Sequence, residues 1–330
     1  MTINLHPFEA FVQKFLSSDH QLTIETIKQL HLLEEWIILA SLGLFLFLFS
    51  FKYWQWLSTK EIQKIIWVLV FTIAIVIRMV SADRGFETME IVDSVHYTVS
   101  ASELAKSGTL TLPLNQENHP IGKAPGFSLL IAPFYLFFKG HLGAAVFCPF
   151  LLGIFSLLLF YYLVKNLLGE QTALFGFLLL SFSPLHITYS RLIMPSIGPL
   201  FFILAAAFLL IQHSRERPKA LWIAGFLFGF AAVTRYLAIA ALPAAMFYLM
   251  LQSGENYSVR LKKILSLLGG AVVPLALLFY FQWREFGSPW LTGYSYWTHF
   301  HVNMQNRRSC TVHSNLLWSN SRHVSLILQI

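Results

Sequence analysis

Long apolar runs, separated by short polar stretches, recur along most of the 330-residue sequence. Several approach the ~20 residues that a helix needs to cross the hydrocarbon core of a bilayer. Runs such as FFILAAAFLLI (201–211) lack the alternation of polar and apolar residues that barrel strands show, so they predict helices. The pattern predicts an all-α polytopic membrane protein with roughly eight transmembrane helices, near 34–54, 64–80, 143–164, 172–188, 196–212, 220–235, 237–252 and 263–283.

Two shorter apolar stretches do not fit a simple crossing. Within the N-terminal segment 1–33, FEAFVQKFL (8–16) places its large apolar residues on one helical face, which predicts an amphipathic helix at the membrane surface. FSLLIAPFYLFF (127–138) has 12 residues and contains Pro133, and apolar runs of this length are more often interfacial or re-entrant. We therefore expect a short helix in the outer leaflet.

Composition and charge support this picture and add an orientation. The chain is 56% hydrophobic and 12% charged, whereas a soluble domain carries about twice that charge. The net charge of +7 comes from short basic clusters between apolar runs, a topology signal that argues against nucleic-acid binding. If these clusters are cytoplasmic, residues 81–142, the turn near 189–195 and everything after about 284 face outwards. We expect a multi-pass protein of the plasma (inner) membrane.

The long outer loop contains a predicted helix, DSVHYTVSASELAKSG (93–108). Asp93 is suited to the N-cap, and Gly108 to the residue after the last turn. One face of the helix carries Asp93, Tyr97, Ala101 and Leu104. A carboxylate at the start of such a helix could accept a proton from an incoming hydroxyl. Spacing alone favours a simple helix cap.

Three basic stretches could bind an anion. In NHPIGKAPGFSLL (118–130), His119 and Lys123 precede the short apolar helix, and Lys123 could pair with a phosphate or simply extend towards water. Arg191 follows Tyr189 in a proline-broken turn, and Arg235 lies between two apolar runs. An arginine at membrane depth costs ~2.5–3.5 kcal/mol on insertion scales, which favours a function for Arg235. For Arg191, lipid-headgroup pairing is an equal alternative.

Aromatic residues mark the last candidate stretch, REFGSPWLTGYSYW (284–297), which includes Tyr294. Such residues form interfacial belts in membrane proteins, and they also provide stacking surfaces for sugars. The sequence contains no phosphate-binding loop, dinucleotide fingerprint or nucleophile elbow. A nucleotide-driven pump is therefore not expected.

In order along the chain, these stretches resemble the motifs of GT-C fold membrane glycosyltransferases of the family 39 type, the protein-mannosyltransferase and aminoarabinose-transferase-like group. The resemblance rests on an acidic loop helix, a His-Pro motif leading into APFY, the YSR segment and FGSPWLTGY (286–294), and it spans about residues 65–297. It implies transfer of a sugar from a polyprenyl-phosphate carrier to a glycan, lipid or protein acceptor on the outer face, by a single inverting displacement.

The resemblance also implies roles for particular residues. Asp93 is the expected catalytic base or acceptor-orienting group. The expected substrate-binding residues are Tyr97, His119, Lys123, Tyr189, Arg191, Arg235 and Tyr294. No metal ligand is expected: family members often show an acid after YSR and an acidic pair in the first loop, but here Pro195 and Ser196 follow YSR and Ser94 follows Asp93. A divalent metal cofactor stays possible.

The domain organisation follows from these assignments. We expect an interfacial segment at 1–33, a GT-C-like transmembrane domain at 34–297 with its outer catalytic loop at 81–142, and a polar tail at 298–330. The tail lacks another spanning run, which suggests a C-terminally truncated chain. A transporter or lipid flippase is the rival interpretation, although acids concentrated in one loop argue against it. A third is an inactive relic that binds the lipid carrier.

Overall fold

The computed structural model of the protein describes residues 60–80, 92–114, 117–138, 142–213, 218–252 and 256–295. The predicted segments at 1–33 and 34–54 and the tail at 298–330 lie outside these residues. The α-helices are α1 Lys60–Val80, α2 Val92–Ser107, α3 Gly126–Phe137, α4 Phe147–Leu168, α5 Glu170–Ser181, α6 Pro184–Tyr189, α7 Ile197–His213, α8 Pro218–Thr234, α9 Ala241–Leu251 and α10 Tyr257–Phe286. Short 3₁₀ helices, Leu142–Val146 and Tyr236–Ala240, precede α4 and α9.

The predicted helix at 172–188 is wrong as a continuous element. The structure ends α5 at Ser181 and begins α6 at Pro184, with Ser183 in an extended conformation between them (φ −63°, ψ 121°). Proline cannot donate the next helical hydrogen bond, and it disfavours helical geometry in the residue before it. The same ring is suited to the first turn of a new helix, which is where Pro184 lies.

The predicted loop helix exists, with one change at its start. α2 begins at Val92, so Asp93 lies inside the first turn and not at the N-cap position. Gly108 follows the last turn with φ +73°, as the helix-stop prediction requires. Tyr97 and Ala101 are buried in a core that also contains Phe127, Ile131 and Ile193. This core fixes α2 against α3 and the start of α7.

A two-stranded hairpin, which the sequence did not predict, joins α2 to α3. β1 (Thr111–Leu114) pairs antiparallel with β2 (Glu117–Pro120), and Leu112 lies opposite His119. Leu112 of β1 is buried, so the hairpin turns this side chain towards the interior. The hairpin returns the chain so that residues 121–125 run from β2 directly to the start of α3.

Small residues allow α8 and α10 to approach at backbone distance. A Cβ atom on Gly225 would overlap the carbonyl oxygen of Leu267, and one on Gly270 would overlap that of Trp222. Close backbone approach through glycine is common where membrane helices pack, because dispersion replaces the hydrophobic effect as the driving force. The two helices run in the same direction, because Gly225 meets Leu267 and Gly229, one turn later, meets Pro274.

Among the described residues, three helices are long and apolar enough to cross a membrane: Glu61–Met79, Ala144–Leu168 and Tyr257–Phe286. The first and third of these helices expose many apolar side chains, such as Ile65 at 66% and Leu277 at 65%, whereas the second is largely buried against the rest of the described chain. Exposed apolar surface on this scale requires a hydrocarbon environment or a partner. The shorter apolar helices are Gly126–Phe137, Ile197–Gln212, Lys219–Thr234 and Tyr236–Leu251.

Candidate functional site

Asp93 and Lys123 form an ion pair between the first turn of α2 and the segment that precedes α3. Lys123 Nζ lies 2.8 Å from Asp93 Oδ1, and the two side chains are 20% and 33% exposed. The pair is therefore partly desolvated but open on one side. The candidate proton acceptor and a candidate phosphate-binding cation, chosen from separate sequence motifs, are direct partners.

Tyr97 lies one helical turn after Asp93 and forms the inner wall of the site. Its ring packs edge-on against Phe127, with centroids 5.2 Å apart. Burial raises the pKa of the Tyr97 phenol above its usual range, and the nearby Tyr294, Asp93 and Tyr236 raise it further, whereas Arg235 opposes them. The phenol is therefore neutral and can form hydrogen bonds. The groups that shift its pKa are the side chains that come together around it.

Arg235 follows the last residue of α8 in an extended conformation (φ −154°, ψ 115°). Its Nη1 donates a 2.9 Å hydrogen bond to Ser196 Oγ, and the side chain is exposed. Ser196 occupies the stretch where the resemblance leads one to expect an acid. No acidic side chain of the described residues pairs with Arg235, so its positive charge is available to a ligand.

Tyr294 closes the other side of the ion pair. The Lys123 ammonium lies 4.7 Å from the centroid of the Tyr294 ring, within the range of a cation–π interaction. The ring of Tyr236 meets that of Tyr294 at 6.2 Å in an edge arrangement. Gly293 lets the segment approach, because a Cβ atom there would overlap the carbonyl oxygen of Ile121.

We call Asp93, Tyr97, Lys123, Arg235 and Tyr294 the Asp93 cluster. Glycine contacts bring its segments together: a Cβ atom on Gly126 would lie 2.7 Å from the backbone nitrogen of Thr234, just before Arg235. The cluster therefore lies where α8 and α10 end and where α2 and α3 begin. Five of the eight residues predicted from sequence are joined in this way.

The other three predicted residues are not among the residues that these contacts join. His119 lies in β2, opposite Leu112, two residues before the carbonyl that Gly293 approaches. Tyr189 ends α6 and packs against the core that contains Tyr97. Arg191 lies within electrostatic range of Arg78. A role in substrate binding for these three stays a prediction.

Arg78 belongs to a buried polar network that was not predicted. The side chain is fully buried in α1, and its guanidinium donates to the carbonyl oxygens of Ala74 (2.9 Å) and Ser181 (3.1 Å). It also lies 2.8 Å from His186 Nδ1, while His186 Nε2 lies 2.8 Å from Ser156 Oγ. The network ties α1, α4, α5 and α6 together beside the YSR segment. The available signal was an arginine inside an apolar run, which is expensive without a purpose.

The part of the chain that the structure describes contains no cluster of candidate metal ligands. Within those residues, no three His, Cys, Asp or Glu side chains come together as they would around an ion. Asp93 has a lysine as its neighbour.

Comparison with known proteins identifies the family. The family described as dolichyl-phosphate-mannose-protein mannosyltransferase matches residues 118–283, which is half of the chain. The chain belongs to this mannosyltransferase family. The matched region includes Lys123 and Arg235, whereas Asp93, Tyr97 and Tyr294 lie outside it.

Two known proteins are similar to this mannosyltransferase family member over part of their length. It is 29% identical over 177 residues to an uncharacterized protein of Aquifex aeolicus (strain VF5), a match that covers 52% of this chain and 35% of the relative. The Saccharomyces cerevisiae protein O-mannosyltransferase Pmt1-Pmt2 complex bound to the sugar donor shares the fold, with a TM-score of 0.53 and 17% identity over 71% of this chain. That match covers 35% of the yeast chain, so the chain spans about a third of the length of both relatives.

The family and the apolar helices both indicate an integral membrane protein. The chain is an integral membrane protein of the GT-C type, predominantly α-helical, with helices long enough to span a bilayer. The predicted family and the all-α membrane fold class are therefore confirmed, and the number of roughly eight spans stays a prediction.

Proposed function

We propose that this chain carries the donor and base sites of an enzyme that transfers mannose from a polyprenyl-phosphate carrier to an acceptor hydroxyl on the outer face of the membrane. The observation that carries the proposal is the position of Asp93 between Lys123, Tyr97 and Tyr294, with Arg235 close enough to act on the Tyr97 phenol. A family of mannosyltransferases supplies the donor class.

The proposed reaction is a single displacement at the anomeric carbon. The acceptor oxygen forms the new bond to that carbon, while the bond from the carbon to the phosphate oxygen breaks and its electron pair leaves with the polyprenyl phosphate. Asp93 takes the proton of the acceptor hydroxyl. Attack opposite to the leaving group inverts the anomeric configuration. General-base assistance of this kind contributes about 10²–10⁴-fold to a rate.

Two cations are proposed to hold the phosphate of the donor. Arg235 offers a planar guanidinium with no acidic partner among the described residues, and this geometry suits phosphate oxygens. Lys123 adds a compact charge on a flexible stem. The charge that develops on the departing phosphate would then be stabilised by preorganised groups.

A protein hydroxyl is the proposed acceptor. The yeast structure that shares the fold is a protein O-mannosyltransferase, and a serine or threonine hydroxyl is small enough to approach the partly exposed Asp93 carboxylate. Tyr294, whose side chain is 50% exposed, would provide a stacking surface for the sugar or the acceptor backbone.

The proposal is tested with the full-length chain in lipid nanodiscs. Radiolabelled dolichyl-phosphate mannose and undecaprenyl-phosphate mannose are offered together with a serine- and threonine-rich peptide, and label in the peptide is measured. We expect Asp93→Asn to lower the transfer rate by about 100-fold or more. Glu103→Gln, which removes another α2 carboxylate, is the matched control and should transfer at the rate of the wild type.

Two results would overturn the proposal. If the wild type binds the lipids but transfers nothing to any acceptor, the chain is a lipid-binding protein and not the enzyme. If Asp93→Asn transfers as fast as Glu103→Gln, Asp93 is not the base.

A further inference from the structure

Lys123 has two partners whose tasks in the proposed reaction differ. Its ammonium pairs with Asp93 Oδ1 at 2.8 Å and lies over the Tyr294 ring at 4.7 Å. If Asp93 is the base, the ammonium at Oδ1 competes with the acceptor hydroxyl for the same carboxylate. If Lys123 binds the donor phosphate, the phosphate competes with Asp93 for the same ammonium. The observed ion pair thus represents the site before the donor arrives.

We propose that Lys123 exchanges partners during the reaction cycle, so that donor binding releases Asp93 as the base. This inference rests on the proposed function. In the resting site the ammonium holds the Asp93 carboxylate. When the donor binds, the ammonium moves to the phosphate, and the freed carboxylate becomes able to accept the hydroxyl proton. The acceptor would therefore react only after the donor is in place.

The movement of charge during the reaction favours this exchange. The donor phosphodiester carries a single negative charge, whereas the departing phosphate monoester carries about −2. At the same time Asp93 gains the proton of the acceptor and becomes neutral. Negative charge is lost at the carboxylate and gained at the phosphate, so the lysine is attracted towards the phosphate as the reaction proceeds. After the lipid phosphate leaves and Asp93 loses its proton, the resting pair forms again.

The surroundings of Lys123 allow it to move, whereas those of Arg235 hold that residue in place. The lysine side chain has four flexible methylene groups, and the face of the Tyr294 ring attracts an ammonium without adding a negative charge. Arg235 is attached through Ser196 to the start of α7. A phosphate can thus meet a fixed guanidinium first and then attract the mobile lysine.

The exchange is tested by chemical labelling of carboxylates, which needs no catalysis. Full-length wild type in nanodiscs is treated with a water-soluble carbodiimide and an amine, with and without saturating undecaprenyl phosphate, and peptides are quantified by mass spectrometry. We expect the lipid to raise labelling of Asp93 by about threefold, as for release from a partly exposed ion pair. Glu103, on the same helix, should not respond.

Lys123→Gln is the decisive variant. Without its lysine, Asp93 should be labelled at the raised level before any lipid is added, and the lipid should change nothing further. Lipid binding is measured in parallel with radiolabelled undecaprenyl phosphate. If the wild type binds the lipid while labelling of Asp93 stays constant or falls, the exchange is overturned, although mannose transfer can still occur. Absence of transfer and of lipid binding would instead overturn the proposed function.

Discussion

At the residue scale, Tyr294 is the side chain for which the contribution of the ring to donor use can be separated most clearly from that of the hydroxyl group. Its ring faces the Lys123 ammonium, and phenylalanine would keep this contact while alanine would remove it. Cation–π contacts are worth ~0.5–2 kcal/mol depending on exposure, which corresponds to roughly 2- to 30-fold in an equilibrium constant. We expect Tyr294→Ala to lower kcat/KM for the donor within this range and Tyr294→Phe to lower it less.

The matched control for this pair is Tyr280→Ala. Tyr280 is similarly exposed, at 58%, and lies on α10 against Trp283. Initial rates at varied donor concentration give the comparison. Equal losses in Tyr294→Phe and Tyr294→Ala would show that the ring contributes nothing, and an equal loss in Tyr280→Ala would show that the effect is not local.

Individual residues of the site were predictable where a charged side chain occurred at an unusual position in the sequence. Asp93 lies in the first turn of the loop helix, and Arg235 lies between apolar runs with almost no loop. Their neighbourhood was not predictable, because the Asp93–Lys123 pair joins residues 30 apart through a hairpin. Arg78 was missed because a single arginine near the end of an apolar run resembles an interfacial residue. Only the fold shows that Ser181 and His186 meet it.

At the element scale, the start of α3 controls the distance between the two proposed phosphate-binding cations. Gly126 allows this helix to touch the end of α8, since a Cβ atom there would lie 2.7 Å from the backbone of Val233 and Thr234. We expect Gly126→Ala to push α3 away from α8, because backbone atoms cannot yield as a flexible side chain can. The cost should be about 1–3 kcal/mol, the range for overpacked sites.

Gly198→Ala is the matched control for Gly126→Ala. Gly198 lies in α7 beside the same Thr234, but a Cβ atom there would meet its side chain at an ordinary 3.7 Å. Apparent Tm in detergent and mannose transfer are measured for both variants. We expect Gly126→Ala alone to lose thermal stability and transfer; equal behaviour of the two variants would contradict the packing argument.

Elements were predictable to the extent that local signals decide them. The loop helix ends before Gly108, whose positive φ few other residues adopt easily. The break between α5 and α6 also has a local signal, Ser183 followed by Pro184. The apolar residues on both sides of this signal led to the prediction of one continuous helix. The hairpin carried no comparable signal. Its strands are four residues each, and its stability depends on Leu112 reaching a core made by other elements.

At the scale of the whole molecule, the parallel pair α8 and α10 determines whether the Asp93 cluster can assemble. Arg235 follows the end of α8, and Tyr294 follows the end of α10. A membrane helix pair gains little from the hydrophobic effect and depends on close packing. The relative position of the two ends is therefore set by glycines in the middle of the helices, at a distance along the chain from the residues proposed to bind substrate.

Neighbouring glycines of α10 make this dependence testable. A Cβ atom on Gly270 would overlap the carbonyl oxygen of Trp222 in α8, whereas one on Gly269 would meet the Trp222 ring at an ordinary 3.8 Å. Alanine is favoured over glycine inside a helix by about 1 kcal/mol, so Gly269→Ala should raise the apparent Tm or leave it unchanged. Gly270→Ala should lower it, because separating two backbones costs more than this gain. Gly270→Ala should also lower the rate of mannose transfer, since Tyr294 would move away from Lys123. Equal Tm values for the two variants would show that this contact does not hold the helices together.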